Sequence, residues 1–259
     1  MSGEQPSQTQ AAWSAEDLRG NPHEAIDKAR RVESMFASIA GRYDLNNRVH
    51  SLWRDQVWRR RAAMLARIAP EDDVLDMACG TGDLSEILAQ CRPRSVLGMD
   101  FTEAMLEIAQ RKARRKARSN GVPAPTFRWG DAMEIDLPDE SVDVVTIAFG
   151  LRNISSPQTA VGEFARILRP GGRLVVLEFS TPRNPLVRLL NAAYTQYIMP
   201  VTATLLSGDR SGAYRYLPRS VSTFADPAAL AEMLAAGGLT VRQQVPQSLG
   251  ICTITVATR

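Results

Sequence analysis

Residues 74–83, Val-Leu-Asp-Met-Ala-Cys-Gly-Thr-Gly-Asp, run from an apolar strand into a turn with glycine at 80 and 82. Glycines at such a turn let a ligand approach the backbone, and the helix that opens behind it offers free N–H groups. A dinucleotide turn would place a third glycine at position 85, where this chain has Ser85. The flanking carboxylates of Asp76 and Asp83 would repel a pyrophosphate but suit a cosubstrate carrying a sulfonium and an ammonium group. The turn therefore points to S-adenosylmethionine. Gly80 and Gly82 are expected to bring amides to its carboxylate, Asp76 or Asp83 to accept from its ammonium, and Thr81 to add a hydroxyl.

Two further acids fall at strand ends. Asp100 closes the apolar run 95–100, where a carboxylate can accept from both ribose hydroxyls. Alone it would fit NAD equally well. Asp131 follows the strand 126–129, where it can accept from the adenine amino group while Ala132 supplies a backbone N–H. Each acid taken singly is an ordinary turn former or helix cap. Three of them at successive strand ends, beside the glycine turn, read as one site.

The elements that hold these residues alternate between strand and helix periods. Strands are predicted at 73–77, 95–100, 126–129, 142–149, 173–179, 240–245 and 251–258, and helices at 26–40, 53–68, 84–91, from 102, 157–168 and 227–236. Residues 42–47 read as irregular. The order is that of an α/β protein with a mostly parallel, doubly wound sheet, and a hairpin of the last two strands makes the final one antiparallel. Residues 1–25 lack a basic start and an apolar run, so they are expected to be a disordered tail rather than a signal peptide or anchor. Residues 26–259 read as a single domain, with an N-terminal helical segment at 26–70 and a cap inserted at about 183–222. Residues 189–208 carry no charge, yet Asn191, Thr195, Gln196, Pro200, Thr202 and Thr204 interrupt them. They are expected to line an apolar route, not to span a bilayer.

Composition narrows the partners. With 259 residues, 44% of them hydrophobic, the chain can bury one substantial core. A net charge of +3 and 6% aromatics, without interleaving of the two, do not indicate nucleic acid. The basic run Arg111, Lys112, Arg114, Arg115, Lys116 and Arg118 reads as a solvated face near a helix end. Cys79, Cys91 and Cys252 have no metal or redox spacing and suit a reducing cytoplasm. No metal is expected.

Phe149-Gly150-Leu151-Arg152-Asn153-Ile154, then Leu168-Arg169-Pro170-Gly171-Gly172-Arg173-Leu174 and Leu177-Glu178-Phe179-Ser180, resemble the ubiquinone and menaquinone biosynthesis C-methyltransferase family. Residues 36–44, Phe-Ala-Ser-Ile-Ala-Gly-Arg-Tyr-Asp, and 214–220, Tyr-Arg-Tyr-Leu-Pro-Arg-Ser, agree with it. The resemblance implies a class I S-adenosylmethionine-dependent methyltransferase, Rossmann-like, with seven strands of which the last is antiparallel and a helical substrate cap. It carries cofactor contacts to Thr81, Asp100, Asp131 and Ala132. Some members have serine where this chain has Ala148, so that side-chain bond is missing here. His50 departs from a usually apolar position, and residues 249–253 follow the family's ending only loosely.

The implied reaction is methyl transfer to a ring carbon of a polyprenylated quinol, most directly demethylmenaquinol to menaquinol, with the benzoquinol of ubiquinone synthesis as the alternative. Arg152 is the candidate for stabilising the quinolate oxygen, Asn153 for orienting it, and Tyr43 for closing over the cofactor. The partner is then a lipophilic quinol, reached by a cytoplasmic protein peripherally at the inner face of the membrane; self-association stays open. Two other readings stand beside it. One is a methyltransferase for another small lipophilic metabolite. The other is a non-catalytic component of a quinone-synthesis complex, against which the intact glycine turn and strand-end acids argue.

Overall fold

A computed structural model describes residues 12–14, 16–120, 123–207 and 211–259. The N-terminal segment comprises α1 (Lys28–Ile39), α2 (Tyr43–His50) and α3 (Arg54–Ala66). The alternating part follows as β1 (Asp73–Met77), α4 (Asp83–Ala89), β2 (Ser95–Asp100), α5 (Glu103–Asn120), β3 (Thr126–Trp129), β4 (Val142–Ala148), α6 (Pro157–Ile167) and β5 (Leu168–Phe179). Next come α7 (Pro185–Ala193), a π-helical turn (Tyr194–Ile198), α8 (Met199–Ser207), α9 (Ala213–Thr223), α10 (Pro227–Ala236), β6 (Thr240–Gln247) and β7 (Cys252–Thr258).

The sheet has seven strands in the order β3-β2-β1-β4-β5-β7-β6. Strands β1 to β5 pair in parallel, whereas β7 is antiparallel to both β5 and β6. β1 and β4 are buried along almost their whole length because helices cover both of their faces. One core, around Leu75, Ile147, Phe164 and Val176, lies under α6 and α10; the other, around Val74, Leu88, Val144 and Ile254, lies under α3 and α4. The reversal of strand order between β1 and β4 opens a crevice at the carboxyl edge of the sheet, where such folds bind ligands.

The structure changes three of the expected elements. Residues 42–47 are not irregular: Tyr43 begins α2, whose Asp44 is held from outside the helix by Thr81 and Lys112. β5 starts at Leu168, since that residue pairs with Val142 before the ladder slips at a bulge and resumes at Arg173. The described part of residues 1–25 is not a disordered tail, because Trp13 is buried and stacks on Tyr216 at 4.7 Å. Together with Met35, Ile39, Ala203, Ala213 and Tyr214 these rings form a third, smaller core that ties the N-terminal segment to the cap. Residues 1–11 of the expected tail lie outside the described residues.

Candidate active site

A cleft of about 790 Å3, open solvent at its mouth included, lies at the carboxyl edge between the strand ends and α1. Met77, Ala78 and Gly80 contribute from behind β1, Asp100 to Thr102 from behind β2, Gly130 to Met133 from behind β3, and Ala148 to Gly150 from the end of β4. Glu33, Phe36 and Tyr43 close it from the N-terminal segment, with Asn153 and Ile154 at its side. Among the described residues its carboxylates are Glu33, Asp100 and Asp131, and no lysine, arginine or histidine lines it. A pyrophosphate would meet three acids and no cation there. A ligand with cationic sulfonium and ammonium groups fits that donor set.

Asp100 joins two of the turns. Its Oδ2 accepts from the Gly80 amide at 2.8 Å and its Oδ1 from the Thr102 amide at 2.8 Å. Burial raises its pKa, and those amide bonds oppose the rise. The carboxylate lines the cleft and can accept from a ligand hydroxyl there. Asp131 accepts from the Met133 amide at 2.8 Å, which fixes the turn that presents Ala132. Asp100, Asp131, Ala132 and Gly80 are thus brought together as expected from the sequence.

Asp76, Thr81 and Gly82 are not part of the lining. Asp76 is buried within the sheet, where it accepts from Ser85 Oγ at 2.5 Å and Thr146 Oγ1 at 2.8 Å. Burial drives its pKa up to about 6. The absence of a third glycine thus has a local reason, since the Ser85 hydroxyl completes the bonding of a buried carboxylate. Gly82 has a φ of +80°, and a Cβ there would come within 2.8 Å of the Phe127 ring. It serves strand packing. Even the Gly80 amide, expected to meet a ligand carboxylate, is taken by Asp100.

Thr81 instead donates to Asp44 Oδ1 at 2.5 Å and so latches α2 to the glycine turn. Lys112 donates to Asp44 at 2.9 Å and to Asp83 at 2.5 Å, and Arg48 to Asp83 at 3.0 Å. Burial would raise the Asp83 pKa, but Lys112, Arg59 and Arg48 bring it below the ordinary value. Asp83 therefore answers cations of the protein itself. Lys112 and Lys116, read from the sequence as part of a solvated face, pair with Asp83 and Glu86. The side chain of Arg118 lies outside the described residues.

Beyond β4 the chain makes a strained turn. Phe149 has a φ of +60°, a left-handed conformation costly for a bulky residue. Gly150 is required next to it, because a Cβ would stand 2.5 Å from that of Ala78. Arg152 Nη1 donates to the Phe149 carbonyl at 2.7 Å, and Asn153 Nδ2 to the same carbonyl at 3.1 Å. Both side chains hold this turn. Arg152 is 4% exposed, forms a 2.6 Å ion pair with Glu178, and does not line the cleft. The expectation that it faces a quinolate oxygen is corrected: it acts through Phe149.

Asn153 and Tyr43 do reach the cleft. Asn153 Oδ1 accepts from Tyr216 at 3.0 Å, which ties the turn to the cap. Burial pushes the Tyr43 phenol above its usual pKa and keeps it a hydrogen-bond donor. Several contributors were missed from the sequence. Glu33 and Phe101, which line the cleft, were not singled out. Lys28, buried and donating to the Ile154 carbonyl at 2.5 Å, had no signal. Burial lowers its pKa to about 8. Among the described residues no group of three His, Cys, Asp or Glu stands close enough to hold a metal ion.

The architecture is that of S-adenosylmethionine-dependent methyltransferases. One from Aquifex aeolicus superimposes with a TM-score of 0.53 at 18% identity, over 75% of this chain and 86% of its own. The magnesium protoporphyrin IX methyltransferase of Synechocystis, solved with bound SAH, superimposes with a TM-score of 0.60 at 19% identity, over 88% and 98%. The sequence model of the ubiE/COQ5 methyltransferase family matches residues 24–259, and the chain belongs to that family. It is 45% identical to the demethylmenaquinone methyltransferase of Thermus thermophilus, over 87% of this chain and all of the relative. It is 36% identical to the ubiquinone/menaquinone biosynthesis C-methyltransferase UbiE of Geobacter sulfurreducens, over 93% of each.

Proposed function

We propose that this chain methylates a ring carbon of a polyprenylated quinol, with demethylmenaquinol as the acceptor. The observation that carries this reading is the identity to the Thermus demethylmenaquinone methyltransferase along that relative's whole length. The wider name of the Geobacter relative keeps a benzoquinol as the second acceptor to test.

S-adenosylmethionine, when bound, supplies a methyl group made electrophilic by its sulfonium. Asp100 would hold the ribose hydroxyls, Asp131 with the Ala132 amide the adenine, and the acidic lining would balance the cationic end. The acceptor must be reduced, because a quinone ring is electron-poor, whereas loss of a phenolic proton places charge on the carbon ortho to the oxygen. That carbon would take the methyl as the bond from methyl to sulfonium breaks and leaves a neutral thioether, and the ring carbon's own proton would pass to solvent to restore the aromatic ring. Tyr43, kept protonated, can donate to the developing quinolate oxygen, and Asn153 orients the ring. The turn at Phe149, clamped by Arg152, sets their alignment. A polyprenyl tail on the acceptor would favour work at the inner face of the membrane. No helix among the described residues is long and apolar enough to cross it.

The test is incubation with S-adenosylmethionine and either reduced demethylmenaquinone or a reduced demethylated benzoquinone precursor, followed by mass spectrometry. A naphthoquinol product heavier by one CH2 is expected. Failure with both rings, at a concentration where S-adenosylmethionine binding is measured directly, would overturn the assignment.

A further inference from the structure

Residues 185–207 form one helical run: α7, the π-helical turn and α8. The run is anchored on one side, where Met199 and Ala203 are buried and the Tyr194 hydroxyl and His50 Nδ1 are hydrogen-bonded at 3.0 Å. On the other side Leu186, Leu190, Tyr197, Val201 and Leu205 all stand exposed, and α7 buries none of its residues. At 1.5 Å per residue this apolar stripe extends for about 30 Å. A surface helix in water ordinarily turns such a stripe toward the core.

Two loop tips stand near it. Leu52 is 80% exposed and Leu249 77%. Leu52 and Trp53 have φ of +51° and +61°, and Ser248 and Leu249 +45° and +60°. Left-handed conformations at non-glycine residues cost about 1 kcal/mol or more each, and here they hold apolar side chains out in water. The tips belong to one edge. Trp58 Nε1 donates to Ser248 Oγ at 3.0 Å, and an added Cβ on Gly250 would sit 3.5 Å from Pro182, just ahead of α7.

Charge selects the partner. Between Glu178 and Asp209 the chain has no acid, and its only charges are Arg183 and Arg188. Both are exposed, and no carboxylate among the described residues pairs with either. In a two-fold pairing of stripes these arginines would meet a surface without an acid. Anionic lipid headgroups provide the missing counter-charge, and long arginine stems suit that boundary.

We propose that this face docks the protein on an anionic bilayer, with the stripe and the tips at Leu52, Trp53 and Leu249 at the acyl boundary and Arg183 and Arg188 at the phosphates. The face shares the carboxyl edge of the sheet with the cleft, since Ser180, just beyond β5, bonds to Gly250 and Ile251 in the Leu249 loop. A lipid substrate would therefore not have to leave the membrane far from the site. This part of the inference rests on the proposed polyprenyl acceptor.

The test is co-sedimentation of the full chain with vesicles of phosphatidylcholine alone and with an equal part of phosphatidylglycerol. Binding to the anionic vesicles, weakened by salt, is expected. Leu190→Glu and Leu249→Glu should each weaken it about tenfold. Met64→Glu, at the opposite end of α3 where Arg173 bonds to Ala66, should leave it unchanged. The two stripe variants should still methylate a short-chain quinol in solution while losing activity on a polyprenyl quinol in vesicles. Undiminished vesicle binding by both, or a dimer in sedimentation velocity that both variants split, overturns the proposal. Loss of methylation with every quinol, by wild type and variants alike, would overturn the acceptor assignment and leave the vesicle result standing.

Discussion

Asp76 and Asp100 end neighbouring strands with the same side chain, and their surroundings give them different tasks. Asp100 accepts from the Gly80 and Thr102 amides and lines the cleft. Asp100→Ala should therefore weaken S-adenosylmethionine binding by about 2–5 kcal/mol, through lost charge-assisted hydrogen bonds. Calorimetric titration checks this, and unchanged affinity would remove Asp100 from the site. Asp76 is buried inside the protein with Ser85 and Thr146 as its donors, away from the cleft, and its carboxyl titrates at about 6 rather than 3.8. A raised carboxyl pKa favours the folded state below the unfolded value, and that contribution is lost as pH rises through about 6. The loss is about 3 kcal/mol. Asp76→Asn should flatten stability between pH 4 and pH 7 by roughly that amount, measured by guanidinium unfolding; an unaltered slope would contradict the assignment. Arg152→Ala leaves Glu178 buried and uncompensated, so it should cost about 3–5 kcal/mol in stability. It should also lower turnover more than cofactor affinity, which separate kinetic and binding measurements would show.

At the scale of elements, the turn behind β4 couples backbone strain to the site. Phe149, Gly150, Arg152 and Asn153 form one device: a left-handed residue, a glycine with no room for a side chain, and two donors to one carbonyl. Gly150→Ala should push the turn away from Ala78 and cost about 1–3 kcal/mol. Turnover should fall at least about tenfold, the effect of a misplaced alignment; full activity in a folded variant would show that the turn does not align the acceptor. The strands β1, β2 and β3 were legible to the residue, although only β1 and β2 lie inside the sheet; β3, Thr-Phe-Arg-Trp, is a largely exposed edge strand. α2 was not. Its polar sequence, Tyr-Asp-Leu-Asn-Asn-Arg, has weak helical signals of its own and is held by Thr81 and Lys112 from elsewhere in the chain.

Across the whole molecule, the N-terminal segment is a cover whose fastenings include Asp44 to the glycine turn, Lys28 to Ile154, and Trp13 to the cap. Trp13→Ala should cost about 3–5 kcal/mol and speed limited proteolysis within α1 and α2, while the sheet keeps its protection. Equal cleavage rates would mean that the cover does not depend on this ring. Such fastening was invisible along the sequence, where Trp13 stood alone in a polar stretch and only the distant Tyr216 gives it a partner.

From sequence alone came the α/β order, the strands with the antiparallel ending, and the strand-end acids Asp100 and Asp131 that line the cleft. These follow from local periodicity and from residues at strand ends, which any doubly wound sheet gathers on one edge, whereas the methyltransferase family came from the resemblance carried by residues 149–154 and 168–180. The tertiary structure decided which carboxylates face the cleft and which are consumed inside the protein. It turned Asp76 to Ser85 and Thr146, Thr81 to Asp44, and Arg152 to Glu178. It also turned the apolar side of α7 and α8 outward. The reason is the same in each case: a side chain's type is written at its own position, but its partner is set by whichever distant segment packs against it.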